Sequence, residues 1–438
     1  MLSILGLFAG LGLLVWLTLR GTELLVAAPL CALLVALASA HPVIPELAGS
    51  ATGPAFTTAY LEGFSGFIQS WFFTFLLGAL FGKMMEATGA AAAVAHAIVQ
   101  RLGSRHALLA VVLACAVLTY GGVSLFVVAF GMYPVALALF RGADLPRRFI
   151  PAALAFGSVT FTMTSAGSPE IQNLIPTRYL GTNLYAGWQV SLVVALAMLL
   201  LGQWWLGAMV RRARAAGEGF VAREDDPVAR AVTSLPATGV ACVPLAVVLV
   251  TSFLWHDVLR ESVLVVALSA GTVVAVVLMW RQLQALPEAL SAGALGALLA
   301  VANTAAVVGF GSVAKGTAGF TAAVAFMTSL PGSPLLGAAI AVSVIAGLTG
   351  SASGGQAIAL PLLAPHYLGL GVDPNALHRV VAISSGGLDS LPHNGYVVTV
   401  TRAVCREAYA GSYPAVAALT VVVPVAGTAL AILLFSLG

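Results

Sequence analysis

The feature that most constrains this chain is a succession of apolar runs, each about 20 residues long. A helix of that length spans the hydrocarbon core of a bilayer, because each residue adds about 1.5 Å and the core is about 30 Å thick. Hydrophobic residues make up 60% of the chain and charged residues 8%, whereas soluble domains are about 25% charged. The sequence therefore predicts an all-α polytopic membrane protein. No basic cluster interleaved with aromatic residues is present to indicate nucleic-acid binding.

The runs predict about ten transmembrane helices plus two re-entrant hairpins and two broken helices. Uninterrupted runs cover 2–19, 24–40, 69–88, 186–208, 236–254, 260–280, 287–312 and 412–437. Glycine-rich interruptions divide the predicted hairpins, 106–140 and 335–370, and the predicted broken helices, 149–177 and 376–402. The hydrophilic segment 209–235 predicts a linker between two halves, 1–208 and 236–438.

Basic residues orient this arrangement. With the hairpins returning to the side they enter, one side of the membrane receives Arg20, Arg101, Arg105, Arg141, Arg147, Arg148, Arg211, Arg212, Arg214, Arg223, Arg230, Arg281, Arg402 and Arg406, with Lys83 near it. The other side receives only Arg178, Arg260, Lys315 and Arg379. The positive-inside rule makes the basic side cytoplasmic. It therefore predicts a bacterial inner-membrane protein with both termini periplasmic.

An internal repeat supports the division into halves. A shift of 229 residues superimposes, without a gap, Phe81-Gly82 on Phe310-Gly311, Thr88 on Thr317, Gly103-Ser104 on Gly332-Ser333, Gly121 on Gly350, Ser124 on Ser353, Gly142 on Gly371 and Asp144 on Asp373. The charge-based topology gives the two copies opposite orientations. Inverted repeats of this kind are typical of secondary transporters, whose sites lie near the midplane between the repeats.

Four irregular segments predict the site: the hairpin tips 119–124 and 349–355, and the helix breaks 164–173 and 384–395. The last of these holds three glycines, a proline, an aspartate and a histidine, which a continuous helix tolerates poorly. The start of a helix half presents free N–H groups and the positive end of its dipole to an anion. The segments therefore predict a site for a small carboxylate, with no dedicated arginine. The alternative is that glycine and serine merely allow close helix packing.

Polar and glycine residues of these segments are the candidate substrate contacts: Gly121, Gly122, Ser124, Thr164, Ser165, Ser168, Asn173, Thr349, Ser351, Ser353, Gly354, Ser385 and Asn394. Asp389, His393 and Glu170 are the candidates for coupling to protons, since ionisable residues at membrane depth are costly and usually functional. The alternative for Asp389 and Glu170 is a structural role at a helix start. No cofactor and no metal site is expected.

Other ionisable residues favour structural roles. Asp144 and Asp373 each precede a proline closely and are typical of turns or helix caps. Lys83 and Glu86, three residues apart, predict a pair on a helix surface. The remaining histidines, including His378, fall near predicted helix ends and favour interfacial positions.

Enzyme signatures are absent: the chain has no HExxH, P-loop or dinucleotide-binding motif. An intramembrane serine hydrolase built from Ser353 and His393 stays a remote alternative. The appearance of a serine-glycine tip in both halves argues against it, because a nucleophile is needed only once.

Three phrases carry a resemblance to a known family: GSASGGQAIALPLL (350–363), SGGLDSLPHNG (385–395) and VTFTMTSAGSPEIQN (159–173). They resemble the gluconate permease (GntP) family of the ion-transporter superfamily, over essentially the whole chain. The resemblance implies a homodimeric secondary symporter of small organic carboxylates that works by an elevator motion. The motif Leu-Pro-His-Asn (391–394) differs from the corresponding motif of gluconate permeases. The resemblance therefore points to a branch of the family that transports hydroxybutyrate-type acids.

The combined expectation is a symporter that imports a hydroxybutyrate-like acid or a sugar acid with protons. The resemblance also bears on the coupling ion, because sodium-coupled relatives carry Ser-Asn-Thr triplets at their tips and this chain does not. A sodium-coupled carboxylate symporter is the alternative.

Overall fold

The computed structural model describes residues 2–20, 22–47, 54–103, 106–224, 226, 235–283, 285–328 and 333–437. All regular structure within these ranges is helical. Six of the described helices are long and apolar enough to cross a membrane individually, and several shorter apolar helices accompany them. The predicted class, an all-α polytopic membrane protein, is confirmed.

The first half contains nine helices within its described residues. They are α1 (Leu2–Leu19), α2 (Leu24–Ala38), α3 (Phe56–Ala87), α4 (Ala90–Leu102), α5 (Ala107–Tyr120), α6 (Leu125–Gly142), α7 (Ile150–Ala155), α8 (Ile171–Leu180) and α9 (Trp188–Ala215). A wider π-helical turn, Phe156–Thr160, extends α7. The helices α5 and α6 form the first hairpin, and the chain leaves helical geometry between Thr160 and Ile171.

The second half repeats this order of elements. Its described helices are α10 (Thr238–Leu259), α11 (Val263–Leu278), α12 (Leu286–Lys315), α13 (Ala318–Thr328), α14 (Pro334–Thr349), α15 (Ala352–Gly369), α16 (Pro374–Leu388), α17 (Gly395–Val398), α18 (Tyr409–Ala417) and α19 (Val423–Leu437). Wider π-helical turns continue α17 over Thr399–Val404 and join α18 to α19 over Ala418–Val422. The second hairpin is α14–α15, and the second break separates α16 from α17.

Helix boundaries follow the 229-residue shift until the second hairpin tip. The shift carries α3 onto residues 285–316, within one residue of α12 at each end, and it carries the end of α5 onto the end of α14. The second tip then has only two residues, 350–351, whereas the first has four, 121–124. Ser124 and Ser351 therefore occupy equivalent helix starts, rather than the sequence-aligned Ser124 and Ser353.

The long helices α3 and α12 pack along each other and form one wall of the molecule. Glycines permit the close approach: a Cβ on Gly63 would lie 2.6 Å from Ser312 Cβ, and one on Gly309 would lie 3.0 Å from the Tyr60 ring. At 1.5 Å per residue the helices are about 45–48 Å long, which exceeds the hydrocarbon core of about 30 Å. Both helices must therefore tilt or extend beyond the membrane.

Hairpins and broken helices form the rest of the molecule. The helix α14 packs on α15 and α16, α15 packs on α8, and α16 packs on α8 and α19. In the first half, α5 packs on α4 and α6. The contact of α15 with α8 joins the second hairpin to the first broken helix.

Ion pairs hold the described part of the linker against the rest of the protein. Arg147 binds Asp226 at 3.0 Å and Glu407 at 2.7 Å, and all three side chains are almost fully buried. Arg148 binds Glu218 at 2.7 Å. The linker is therefore attached both to the α6–α7 corner and to the segment after α17.

The predicted boundaries need several corrections. The helices α4 and α13 were not predicted, because their short, alanine-rich sequences do not form a run of spanning length. The helix α3 begins at Phe56 rather than near 69, and α9 continues past 208 into the predicted linker.

Parts of the predictions lie outside the described residues. These are Arg105 and Arg230 of the charge count, Ser104 and Gly332 of the repeat, and residues 225 and 227–234 of the linker. The division into 1–208, 209–235 and 236–438 and the inverted orientation stay predictions.

Candidate functional site

Each hairpin tip contacts the broken helix of its own half. At the first tip, a Cβ on Gly122 would lie 3.3 Å from Pro169 Cγ, and Tyr120 donates a hydrogen bond of 2.6 Å to the Ala166 carbonyl. At the second tip, Asn394 Nδ2 donates to the Gly350 carbonyl at 3.0 Å. Gly122 and Gly350 have positive φ angles of 93° and 61°, which favour glycine because it lacks a Cβ.

A cavity of about 900 Å³ lies between these segments and the wall formed by α3 and α12. It is lined along α12 from Ala292 to Val307, a distance of about 22 Å at 1.5 Å per residue. At one end it reaches Lys83 and Glu86, near the end of α3. No described residue of α3 before Thr74 lines it, so the cavity extends from mid-molecule toward one side only.

Four helices of the described chain begin on the wall of this cavity. The residues that precede their first turns are Ser124 for α6, Glu170 for α8, Ser351 for α15 and Asn394 for α17, and all four line the cavity. The helices α6, α8 and α15 have ten or more residues. Their free N–H groups and dipoles create a positive potential where they converge.

The two halves differ in how these helix starts are capped. Ser351 accepts a hydrogen bond from the Gly354 N–H, and Asn394 accepts one from the Val397 N–H. Neither Ser124 nor Glu170 caps its helix with its side chain. The N–H groups at the starts of α6 and α8 are therefore the ones left for another acceptor.

Two carboxyl groups without an ion-pair partner among the described residues share the cavity with these helix starts, whereas the third acid of the wall, Glu86, is paired with Lys83. Glu170 lines it at the start of α8, and Asp389 lines it just after α16 ends. Asp389 Oδ1 accepts a hydrogen bond of 3.0 Å from the Ser390 hydroxyl. No ion pair joins either acid to a basic residue in the described ranges. Asn394 rather than Asp389 caps the start of α17, and both acids can interact with the contents of the cavity.

The structure places seven of the predicted site residues on the cavity wall: Gly122, Ser124, Ser351, Ser353, Asn394, Asp389 and Glu170. It places the others behind the wall: Gly121, Thr164, Ser165, Ser168, Asn173, Thr349, Gly354, Ser385 and His393. Their roles in binding stay predictions.

Several residues behind the wall support the backbone of the breaks. Asn173 Nδ2 donates to the carbonyls of Ser168 and Leu184, and Ser165 Oγ donates to the Phe161 carbonyl. Ser385 accepts a hydrogen bond of 2.9 Å from Gln356. These hydrogen bonds hold the backbone beside the helix starts and so determine the direction in which the N–H groups of those helices point.

His393 occupies the space left by a glycine. A Cβ on Gly350 would lie 2.8 Å from His393 Cδ2. His393 Nε2 is buried and has no hydrogen-bond partner among the described residues. The ring therefore packs the second tip against the second break.

Arg379, one of the basic residues that the charge count assigned to the periplasmic side, does not lie at the molecular surface. Its side chain is fully buried and donates to the carbonyls of Thr164, Leu184 and Ala186. It does not line the cavity. Its guanidinium joins α16 of the second half to the break of the first half.

His378 also lies inside the molecule, so the expectation of an interfacial position is wrong. Its side chain is fully buried, and its Nδ1 lies 2.7 Å from the Thr182 hydroxyl. Its Nε2 lies 3.3 Å from Asn173 Oδ1. The sequence around His378 did not indicate whether the side chain is buried in the protein or lies at the membrane interface, because a histidine beside an arginine is compatible with both.

The predicted pair of Lys83 and Glu86 forms, with Nζ 3.0 Å from the carboxylate oxygen. The pair lines the cavity near its end, however, and is not only a surface feature. Asp373 caps α16 as predicted, accepting from the Ala376 N–H. Asp144 accepts from the Phe220 N–H and so holds the linker.

Sequence reasoning missed the polar residues of the long helices. Thr74 on α3 and Asn303 on α12 line the cavity and are related by the 229-residue shift. Asn303 Oδ1 is buried without a hydrogen-bond partner in the described residues. Thr74 and Asn303 could have been identified from the sequence as isolated polar residues within long apolar runs.

Comparisons with known proteins identify the family. Residues 170–391 match the model of the Na+/H+ antiporter family. The chain is 35% identical to the uncharacterized transporter YxjC of Bacillus subtilis (strain 168), over 94% of both proteins. It also resembles the crystal structure of the Alcanivorax borkumensis YdaH transporter, described as having an unusual topology, with a TM-score of 0.57 and 16% identity over 99% of this chain and 98% of that one. That likeness supports the fold alone.

These matches overturn the resemblance to the gluconate permease family. Glycine- and serine-rich phrases at hairpin tips and helix breaks follow from the geometry of broken helices. Different transporter families with such helices therefore share them, and the phrases at 159–173, 350–363 and 385–395 cannot discriminate between families. The matched proteins are transporters, as predicted, and not enzymes. The chain belongs to the Na+/H+ antiporter family and is a multi-pass membrane transporter.

Proposed function

We propose that this protein is a secondary active transporter that carries a small organic carboxylate together with protons. The observation that carries the proposal is the meeting of four helix starts and two carboxyl groups on one cavity wall. The helix starts supply N–H donors and a positive potential for an anion. Asp389 and Glu170 supply proton sites within the same space.

The coupling follows from electrostatics. Two unit charges 4 Å apart repel by about 4 kcal/mol at an effective dielectric constant of 20. A substrate carboxylate therefore binds poorly beside ionised Asp389 and Glu170, and protonation of these acids removes the repulsion. Because the linkage is reciprocal, binding of the anion also favours protonation. Substrate and protons are thus loaded together.

The one-sided cavity supports alternating access. It extends from the helix starts toward Lys83 and Glu86, which the charge-based topology assigns to the cytoplasmic side. In the proposed orientation, with both termini periplasmic in a bacterial inner membrane, this conformation is open to the cytoplasm. Movement of the hairpins along α3 and α12, as an elevator within a homodimer, would carry the site to the other side.

Reconstituted vesicles test the coupling. We expect an inward pH gradient to drive accumulation of radiolabelled 3-hydroxybutyrate or gluconate above the level of protein-free vesicles, and a protonophore to abolish it. Asp389→Asn mimics the protonated acid and is expected to keep exchange of labelled for unlabelled substrate while losing accumulation driven by the gradient. Asp373→Asn, which changes a helix cap outside the cavity, is the matched control.

Sodium coupling is the second candidate, favoured by the family and by the hydroxyl and carboxylate oxygens of the cavity. Accumulation that follows a sodium gradient at uniform pH, and persists with the protonophore, would replace protons with sodium in the proposal. Sodium-driven collapse of a pH gradient without any carboxylate movement would contradict symport altogether.

A further inference from the structure

Among the described residues of the cavity wall, Lys83 is the only one with a basic side chain. It lies near the end of α3 and is partly exposed, and its Nζ lies 3.0 Å from each carboxylate oxygen of Glu86. Glu86 also lines the cavity and is also partly exposed. Both charged groups are therefore accessible from the space through which a ligand would pass.

Helix stability does not account for this pair. The favourable order in a helix places the glutamate before the lysine, whereas Lys83 precedes Glu86 here. Glu86 also lies in the last turn of α3, where the negative end of the helix dipole disfavours an acid. Partly exposed pairs contribute little to stability in any case. The two charges are therefore better explained by what passes through the cavity.

Lys83 lies beside the first hairpin tip. A Cβ on Gly82, the residue before it, would lie 3.2 Å from the Ser124 backbone N and 3.5 Å from Val127 Cγ2. The start of α6 is therefore packed directly against the turn of α3 that carries Lys83. Because Ser124 does not cap α6 with its side chain, the free N–H groups of that helix and the lysine ammonium are donors in the same part of the cavity.

We propose that Lys83 binds the carboxylate of the substrate in exchange for Glu86, an inference that rests on the proposed carboxylate transport. A lysine has three N–H donors on a flexible four-carbon stem, so its ammonium can turn from Glu86 to an anion at the start of α6. Because the pair is partly exposed, its separation costs little, and water solvates the Glu86 carboxylate that is left. Lys83 thus holds the substrate between the helix starts and the mouth of the cavity.

Variants of the pair are expected to have opposite effects. Lys83→Gln removes the ammonium, so we expect 3-hydroxybutyrate and gluconate to bind about tenfold more weakly, which corresponds to the loss of one hydrogen bond to a charged group. Glu86→Gln removes the competitor for the ammonium, so we expect binding to become up to about fivefold tighter, within the range of exposed ion pairs. The double variant is expected to bind as weakly as Lys83→Gln, because Glu86 acts through the lysine.

Thermal stabilisation of the purified full-length protein at pH 7 measures these changes. A ligand that binds the folded state raises its stability by mass action, so titrations with the two acids give an apparent dissociation constant for each variant. Lys315→Gln is the matched control. Lys315 is an exposed lysine in the last turn of α12, the long helix equivalent to α3, and it does not line the cavity. This variant is expected to bind both acids like the wild type.

The outcomes separate this inference from the function on which it rests. Stabilisation of the wild type by either acid, with unchanged binding in Lys83→Gln, overturns the exchange and leaves carboxylate transport standing. Wild-type affinity in the double variant also overturns it, because the lysine then only neutralises Glu86. If Lys83→Gln does not fold, unchanged or weaker binding in Glu86→Gln overturns the exchange. Absence of stabilisation of the wild type by both acids overturns the proposed function itself.

Discussion

Replacing Arg379 tests whether the first helix break is held in place from the other half of the molecule. Its guanidinium makes four hydrogen bonds to three carbonyls, through Nε, Nη1 and Nη2. Arg379→Lys keeps the charge but concentrates its donors on one nitrogen, which cannot reach groups that are placed around a planar fork. Loss of two charge-assisted hydrogen bonds, at about 1.5–3 kcal/mol each, gives a destabilisation of roughly 3–6 kcal/mol.

Intrinsic tryptophan fluorescence during heating of the purified protein measures this loss. Arg178→Lys is the control, since Arg178 donates to Ser70 at an exposed position and such contacts contribute little. We expect a large fall in melting temperature only for Arg379→Lys. We also expect weaker stabilisation by carboxylates, because the displaced Thr164 carbonyl belongs to the break that leads to the start of α8. Melting of both variants close to the wild type would refute the reasoning.

Two further predictions concern the second tip and the linker. Gly350→Ala is expected to lower stability by about 1–2 kcal/mol for its left-handed backbone alone, and more for the clash with His393, and to reduce transport. Gly369→Ala, whose Cβ meets nothing within 4 Å, should melt like the wild type; equal melting of the two variants would contradict this. Burial tends to raise the pKa of Asp226, but hydrogen bonds from the Arg223 N–H and from arginine side chains lower it overall. Its stabilising contribution is therefore present above its ordinary pKa of about 3.9 and lost as pH falls through the lower folded-state value. The melting difference between wild type and Asp226→Asn should be clear at pH 7 and shrink toward pH 3; a difference independent of pH would contradict this.

Local sequence determined the helices and their interruptions. Apolar runs of spanning length can satisfy their backbone only as helices in a membrane, and the runs at 2–19, 24–40 and 287–312 match α1, α2 and α12 within a few residues. Clusters of glycine, proline and polar residues predicted the two breaks, which fall at 161–170 and 389–394, although single prolines such as Pro134 and Pro361 lie inside helices. The 229-residue shift also relates α3 to α12 in the structure, whereas hydropathy alone began α3 too late.

Tertiary structure alone decided which polar residues face the cavity. Serines and threonines of one segment look alike in sequence, yet Ser124 and Ser351 lie on the cavity wall while Thr164 and Ser385 lie behind it. Burial of Arg379 depends on the carbonyls of Ala186 and Thr164, which lie 193 and 215 positions earlier in the chain. A helix break is a local consequence of composition, whereas the direction in which its groups point depends on what packs against it. The sequence by itself thus determined that this chain is a membrane protein with broken helices, and only the packing of the two halves placed four helix starts and two acids around one cavity.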